Sequence, residues 1–250
     1  MGAKGKLKMQ HYEYVTKRAA NKQKKEVLQV IHEVQNEVRA EFTFQYFFIG
    51  SSSRNMITLD KTTNTGYDFD IDIVVNNPEN KLSPKVMRSL LERAFQKISK
   101  KYGYDAFENS RRVFTIKALN SSRNKIKHSC DIAIVRKDDE KREYIAFDKQ
   151  TSSYRWEEST KPYEIGIKTE YLRENGHWEE VRETYLKKKN ENTDPRKHSR
   201  ALYAETIYEV YARHTNSKAQ GFGPEFEGTP CLGYETLKPI SQYSMEKKKQ

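Results

Sequence analysis

The sequence predicts an α+β fold: a mixed β-sheet core flanked by helices, with further helices after it. Three observations carry this expectation. Helical and strand periods alternate through the first 150 of 250 residues, in the order helix, strand, helix, strand, helix, then several strands. One of those strands, 67–75, holds Asp68, Asp70 and Asp72 between apolar residues. Past residue 150 the composition shifts towards Trp, Tyr, Glu and Lys, and the pattern becomes mainly helical. The chain therefore divides into a core over 1–150 and a C-terminal, mainly helical region over 151–250 that ends in an irregular basic tail.

Each element follows from local chemistry. Residues before 26 are basic and polar and suit a frayed helix start. Over 26–39, Val27, Ile31, Val34 and Val38 form one helical stripe. The aromatic and β-branched run 42–49 predicts a buried strand, which Gly50 breaks. Serines at 51–53 favour a helix opening over 51–56. A polar loop over 61–66 leads to the acidic strand, which the turn-forming Asn76-Asn77-Pro78 closes. A helix over 84–100 starts at Ser83 or Pro84, proline being favourable at the first helical position, and buries Val86, Leu90, Leu91, Phe95 and Ile98. Strands at 112–119 and 127–136 flank the turn 120–124 and predict a hairpin, with a further strand at 142–147. Helices are expected at 178–189 and 198–213, joined by a loop that ends in Asp194-Pro195. The tail past 215 is punctuated by Gly and Pro, and its last residues are expected to be disordered.

Composition bounds the partners. A net charge of +11 favours polyanions such as nucleotides or nucleic acid, although solvated Lys-rich helices and termini account for much of it equally well. The two cysteines, Cys130 and Cys231, form neither a disulfide framework nor a CxxC site, which suits a reducing compartment. No apolar run approaches a membrane span, and MGAKGKLKM lacks the apolar stretch of a signal peptide. Lys6 stands where a myristoylation signal needs Ser or Thr. A cytoplasmic location with no membrane partner is expected.

The acidic strand points to chemistry. Aspartate is depleted in strands, so three at alternate positions need a reason. Alternation places them on one sheet face, about 6 to 7 Å apart, where carboxylates repel unless a cation lies between them. A divalent-metal site is the leading physical reading. Asp131, a lone acid entering an apolar run, by itself reads as a strand-end aspartate; beside the acidic strand in the same sheet it becomes a third ligand candidate.

Gly50-Ser51 after an apolar strand, then Asp70-Ile71-Asp72 among apolar residues, then Asp131 in a later apolar strand resembles the nucleotidyltransferase fold of the DNA polymerase β superfamily. The resemblance covers roughly residues 25–150. The long spacer before Tyr67-Asp68-Phe69-Asp70-Ile71-Asp72, together with 112–117, is similar to the branch of bacterial cyclic-oligonucleotide synthases and oligoadenylate synthases.

That resemblance implies a nucleotidyltransferase-like sheet and two Mg²⁺ ions, with Mn²⁺ as a substitute, held by carboxylates. Asp70 and Asp72 would be shared by both ions, and Asp131 would hold the ion on the acceptor side and take the hydroxyl proton. Asp68 is a tuning neighbour or an exposed residue at the strand entrance, the latter favoured. Gly50 permits close approach of backbone to phosphate, and Ser51, at a helix mouth, is a phosphate contact or an ordinary cap. Arg54 is a phosphate contact or solvent-facing, and Lys117 a cleft or snorkelling lysine. Lys188, within the run 187–189, is a triphosphate clasp or a lysine suited to a helix C-terminus. Tyr203, Tyr208 and Tyr211 read as core before they read as a stacking surface. The six histidines, His177 among them, show no metal-ligand spacing and receive no role.

The expected activity is transfer of a nucleoside monophosphate from an NTP to a hydroxyl acceptor, a second nucleotide or RNA being favoured. Nucleotidylation of a small molecule such as an antibiotic, or of a protein, is the alternative. A non-catalytic nucleic-acid-binding protein on the same fold is the alternative class, and a metal-dependent nuclease a third, which gives no reason for the Gly-Ser turn.

Overall fold

The computed structural model describes residues 11–62, 66–120, 125–137, 141–159 and 163–215. In chain order the elements are β1 (Tyr12–Tyr14), α1 (Lys17–Val38), β2 (Thr43–Ile49), α2 (Gly50–Ser53), β3 (Thr58–Asp60), β4 (Tyr67–Asn76), α3 (Pro84–Ser99), β5 (Ala106–Asn109), β6 (Val113–Asn120), β7 (Lys125–Lys137), β8 (Arg142–Asp148), β9 (Ser153–Glu158), α4 (Tyr163–Glu174), α5 (Trp178–Glu191) and α6 (Ser199–Thr215). The α+β class and the mixed sheet are as the sequence predicts. The expected loop at 61–66 lies partly, the turn at 120–124 largely and the tail past 215 entirely outside the described residues.

Two compact units emerge, one containing residues 15–57 and 66–159, the other 11–14, 58–62 and 163–215. In the first, a seven-stranded sheet runs in the order β2-β4-β7-β6-β5, with β8 added on β7 and β9 on β8. β4 and β7 are parallel and the other pairs antiparallel. The expected hairpin is present, since β6 and β7 pair as far as Asn120 and Lys125. The sheet runs past residue 150, where the core was expected to end, because β9 pairs with β8 from Ser153 to Glu158.

One face of this sheet is apolar and covered. Phe69, Ile71 and Ile73 of β4, Ile132 and Ile134 of β7, and Phe114 and Ile116 of β6 pack in one core with the stripes of α1 and α3. Val27, Ile31, Val34 and Val38 do the burying on α1, which starts nine residues before the apolar stripe suggests because Thr16 caps it, accepting from the amide of Ala19 at 3.3 Å. Ser83 caps α3 by accepting from Val86 at 3.4 Å, with Pro84 following it. Val86, expected in the core, is 43% exposed; Met87 one position on is buried instead.

The second unit pairs β1 with β3 and packs α4 and α5 on α6. Asn190 closes it, accepting from the Tyr12 amide at 2.6 Å and donating to the Tyr12 carbonyl at 3.1 Å. Tyr203 is core, whereas Tyr208 donates to Glu164 and Tyr211 stacks edge-on against Tyr171. Short β1, β3, β5 and β9 and the helix α4 have too little periodicity of their own to be read from sequence. No helix among the described residues is long and apolar enough to cross a membrane.

Gly66 leads into β4 where that strand meets β7. Its amide donates to the Ile126 carbonyl at 2.8 Å, and a Cβ there would collide with the Lys127 carbonyl. Because the obstacle is backbone, relief requires strand movement. Gly66→Ala is expected to destabilise the fold by about 1–3 kcal/mol; an unchanged urea midpoint would show that this close approach is not needed.

Candidate active site

Alternation turns Asp68, Asp70 and Asp72 away from the apolar core, to the opposite face of the sheet. Parallel register then sets Asp70 beside Asp131, Asp68 beside Ser129 and Asp72 beside Ala133. Adjacent strands lie about 4.8 Å apart, so Asp70 and Asp131 are immediate cross-strand neighbours on one face. On the far side of β7, Thr115 is in register with Asp131 and donates its hydroxyl to Asp131 Oδ1 at 2.6 Å. Ser129 donates to Asp68 Oδ1.

The phosphate-side half comes from β2, whose last residue, Ile49, pairs with Asp70. Gly50 follows with φ +63, and a Cβ at that position would collide with Asp70 Oδ2. Glycine is thus required twice, for conformation and for room. The helix expected over 51–56 is the single turn α2, closed by Ser53 Oγ donating to the Gly50 carbonyl at 2.9 Å. A four-residue turn has little macrodipole, so the expected dipolar attraction at Ser51 shrinks to individual amides and the hydroxyl. Arg54 ends the turn, and its charge acts on Asp70.

Crowding is visible in the ionisation of these acids. Burial raises the Asp70 carboxyl, the charges of Asp131, Asp68 and Asp72 add to this, Arg54 opposes it, and the result is pushed up to about 7. Burial also raises Asp131, against the Thr115 hydrogen bond and the charge of Lys117. Asp72 is 1% exposed and pairs through Oδ2 with the guanidinium of Arg142, itself fully buried. Burial raises its carboxyl and Arg142 opposes the rise. Asp72 Oδ1 is buried with no hydrogen-bond partner among the described residues.

These observations fit a divalent cation. Three carboxylates whose ionisation burial opposes, Asp70 being penalised by its acidic neighbours as well, and one orphaned buried oxygen are what a hard cation would relieve, and the donors are oxygens without His or Cys. Asp70, Asp72 and Asp131 are the residues that would hold it.

Of the residues singled out from sequence, Gly50, Ser51, Arg54, Asp70, Asp72, Asp131 and Lys117 fall in one unit. Lys117 lies in register with Ser129 and pairs with Glu108 at 2.6 Å. Lys188 belongs to the other unit, where Glu209 at 2.7 Å and Glu205 at 3.8 Å hold its ammonium near the C-terminal end of α5. Thr115, Ser129 and Arg142 were missed. The first two follow once the register of β6 and β7 is known; Arg142 lies 70 residues from Asp72 and carries no local signal.

The ionisation of Asp70 has a consequence for stability. Its folded value near 7 exceeds the ordinary value of 3.8, so the folded chain holds this proton over a pH window where the unfolded chain does not. Stability therefore falls as pH rises through that window, and the full penalty stands above it. Asp70→Asn is expected to raise the Tm at pH 8 in chelator, by roughly 1–4 kcal/mol of stability, and to change little at pH 4. A Tm at pH 8 that does not rise would contradict the crowding.

No protein-family model matches the chain, and no curated protein does. Solved structures do resemble it. Vibrio cholerae DncV with 3′-deoxy GTP bound aligns at 14% identity and TM-score 0.51, covering 84% of this chain and 65% of that one. Escherichia coli DncV with 3′-deoxy GTP bound aligns at 14% identity and TM-score 0.51, covering 79% and 54%. The V. cholerae cyclic AMP-GMP synthase DncV in complex with the linear intermediate pppA(3′,5′)pG aligns at 14% identity and TM-score 0.50, covering 76% and 53%. The chain thus spans between about half and two thirds of the length of these proteins. With the acids on one sheet face and the glycine turn beside them, the chain shares the nucleotidyltransferase fold of these DncV structures.

Proposed function

We propose that this protein is a divalent-metal-dependent nucleotidyltransferase that moves a nucleoside monophosphate from an NTP to a hydroxyl acceptor, most simply a second nucleotide or an RNA end. The observation that carries it is the in-register pair Asp70–Asp131, with Asp72 on the same strand face and Gly50 against Asp70. The acquaintance of this fold with GTP analogues and with a linear dinucleotide in DncV supports a nucleotide on both sides of the reaction.

In this scheme the acceptor oxygen bonds to the α-phosphorus as the bond between that phosphorus and the α–β bridging oxygen breaks, and pyrophosphate leaves. A bound Mg²⁺ or Mn²⁺ would supply neutralisation of the triphosphate and acidify the acceptor hydroxyl. Asp70, Asp72 and Asp131 would hold the cation. Asp131, whose carboxyl burial raises, also takes the hydroxyl proton, and the Thr115 hydrogen bond fixes its orientation. The Gly50 turn lets backbone approach the β- and γ-phosphates, Ser51 donates its hydroxyl there, and Arg54 adds positive charge.

One observation favours a second reading. Arg142 already neutralises one oxygen of Asp72, which suits a chain that binds nucleotide on this fold without turning it over. The two readings separate in one assay. With Mg²⁺ and the four NTPs, with and without RNA, pyrophosphate release is expected, and Asp70→Asn and Asp131→Asn should each lower it by roughly 100-fold or more while the variants remain folded. Release without a product longer than the NTP would point to hydrolysis. NTP binding without any release would establish the second reading, and absence of NTP binding with either Mg²⁺ or Mn²⁺ would remove both.

A further inference from the structure

A second cluster of potential ligands lies in the other unit, among residues the nucleotide chemistry does not use. His177 is the N-cap residue of α5, Glu180 lies one turn on, and His214 sits in the last turn of α6. One ligand atom from each of the three falls within 4.8 Å of the other two. The imidazoles stack with centroids 3.5 Å apart and planes 14° from parallel. His214 Nε2 meets Glu180 Oε2 at 2.6 Å, while Glu180 Oε1 accepts from Arg213 at 2.9 Å.

We propose that His177, Glu180 and His214 form a binding site for a divalent transition-metal ion of the zinc class. Two imidazole nitrogens and a carboxylate oxygen are a donor set that Zn²⁺ takes readily, with water in a fourth position. Mg²⁺ prefers oxygen donors and keeps its waters, so it does not compete well here. In a tetrahedral site with bonds near 2.0–2.1 Å, ligand atoms lie about 3.3 Å apart. To close from 4.8 Å to that spacing the side chains must turn, the stacked imidazoles swinging a ring nitrogen each toward the ion. Side-chain exposures of 29% for His214 and 35% for Glu180 leave a path for the ion and its water.

Arg213 bridges Glu180 and Glu209, and Glu209 also holds Lys188, so the carboxylate oxygen offered to the ion is Glu180 Oε2, the one that meets His214. The ion would take the place of the hydrogen between His214 and Glu180. Any proton displaced from His214 goes to solvent, and the hydrogen bond from Arg213 to Glu180 Oε1 is kept. The bland account of the same atoms is a carboxylate in the first turn of a helix held by a histidine and an arginine. That account predicts no metal uptake.

The test uses the full chain, freed of metal with chelator, dialysed, and titrated with Zn²⁺ in excess Mg²⁺ so that the aspartate cluster is occupied. One Zn²⁺ per chain and a raised Tm are expected. Co²⁺ in its place should show the intense visible bands of a four-coordinate ion. His177→Ala and His214→Ala should each weaken Zn²⁺ binding on the order of tenfold or more, since loss of even an outer partner of a ligand has effects of that size. Asp70→Asn should leave Zn²⁺ affinity unchanged. His214→Gln keeps a hydrogen-bonding group beside Glu180, and circular dichroism confirms its fold if the alanine variants are unstable. No Zn²⁺ uptake, or uptake that survives the loss of either histidine, would overturn the proposal.

Discussion

Parallel pairing of β4 with β7 sets Asp70 directly beside Asp131, and the acidic face exists only in that register. A slip of one residue would turn Asp131 into the apolar core and bring Cys130 or Ile132 out. The register is held from the other side of the sheet. Phe69, Ile71 and Ile73 interlock there with Cys130, Ile132 and Ile134, all almost completely buried. Apolar packing thus maintains a concentration of negative charge that electrostatics alone would disperse. Stability made on one face is spent on the other, which is a common condition of sites that hold charge ready for a substrate.

Much of this was legible in residues close together in the chain. The acid face follows from alternation over Asp68 to Asp72, and the turn from the glycine after a β-branched and aromatic run. What the sequence did not disclose depends on contacts between distant segments. Thr115 becomes a partner of Asp131 only through the register of β6 on β7. Arg142 reads locally as an ordinary residue at the start of a strand, and its role comes from burial against Asp72. His177 and His214 fail every spacing rule because the packing of α5 on α6 brings together residues that no single helix could. The short strands β1, β3 and β5 are likewise set by their partners, each being too brief for a period to declare itself.

Glycine use divides in an instructive way. Gly50 is excluded from substitution by a side chain, the carboxylate of Asp70, and by its own left-handed backbone. Gly66 is excluded by backbone, the carbonyl of Lys127. The first glycine makes room for a carboxylate and the second for a neighbouring strand; Gly50 directly follows β2 and Gly66 directly precedes β4, two strands that pair with each other.

The pairing of Asp72 with Arg142 ties an outer part of the sheet to its acidic centre. β8 joins β7 over only three register pairs, Val135–Tyr144 to Lys137–Arg142, so by ladder length alone the β8–β9 hairpin would open easily. Opening it, however, would withdraw the counter-charge from a carboxylate that is 1% exposed. The hairpin is therefore held by this buried pair together with Ile145, Tyr154 and Trp156, which pack on the core where its hydrogen bonding is sparse. Asp72 thus has its buried counter-charge only when the outer hairpin is docked, so the integrity of the acidic face depends on a strand pair that contributes no acid to it.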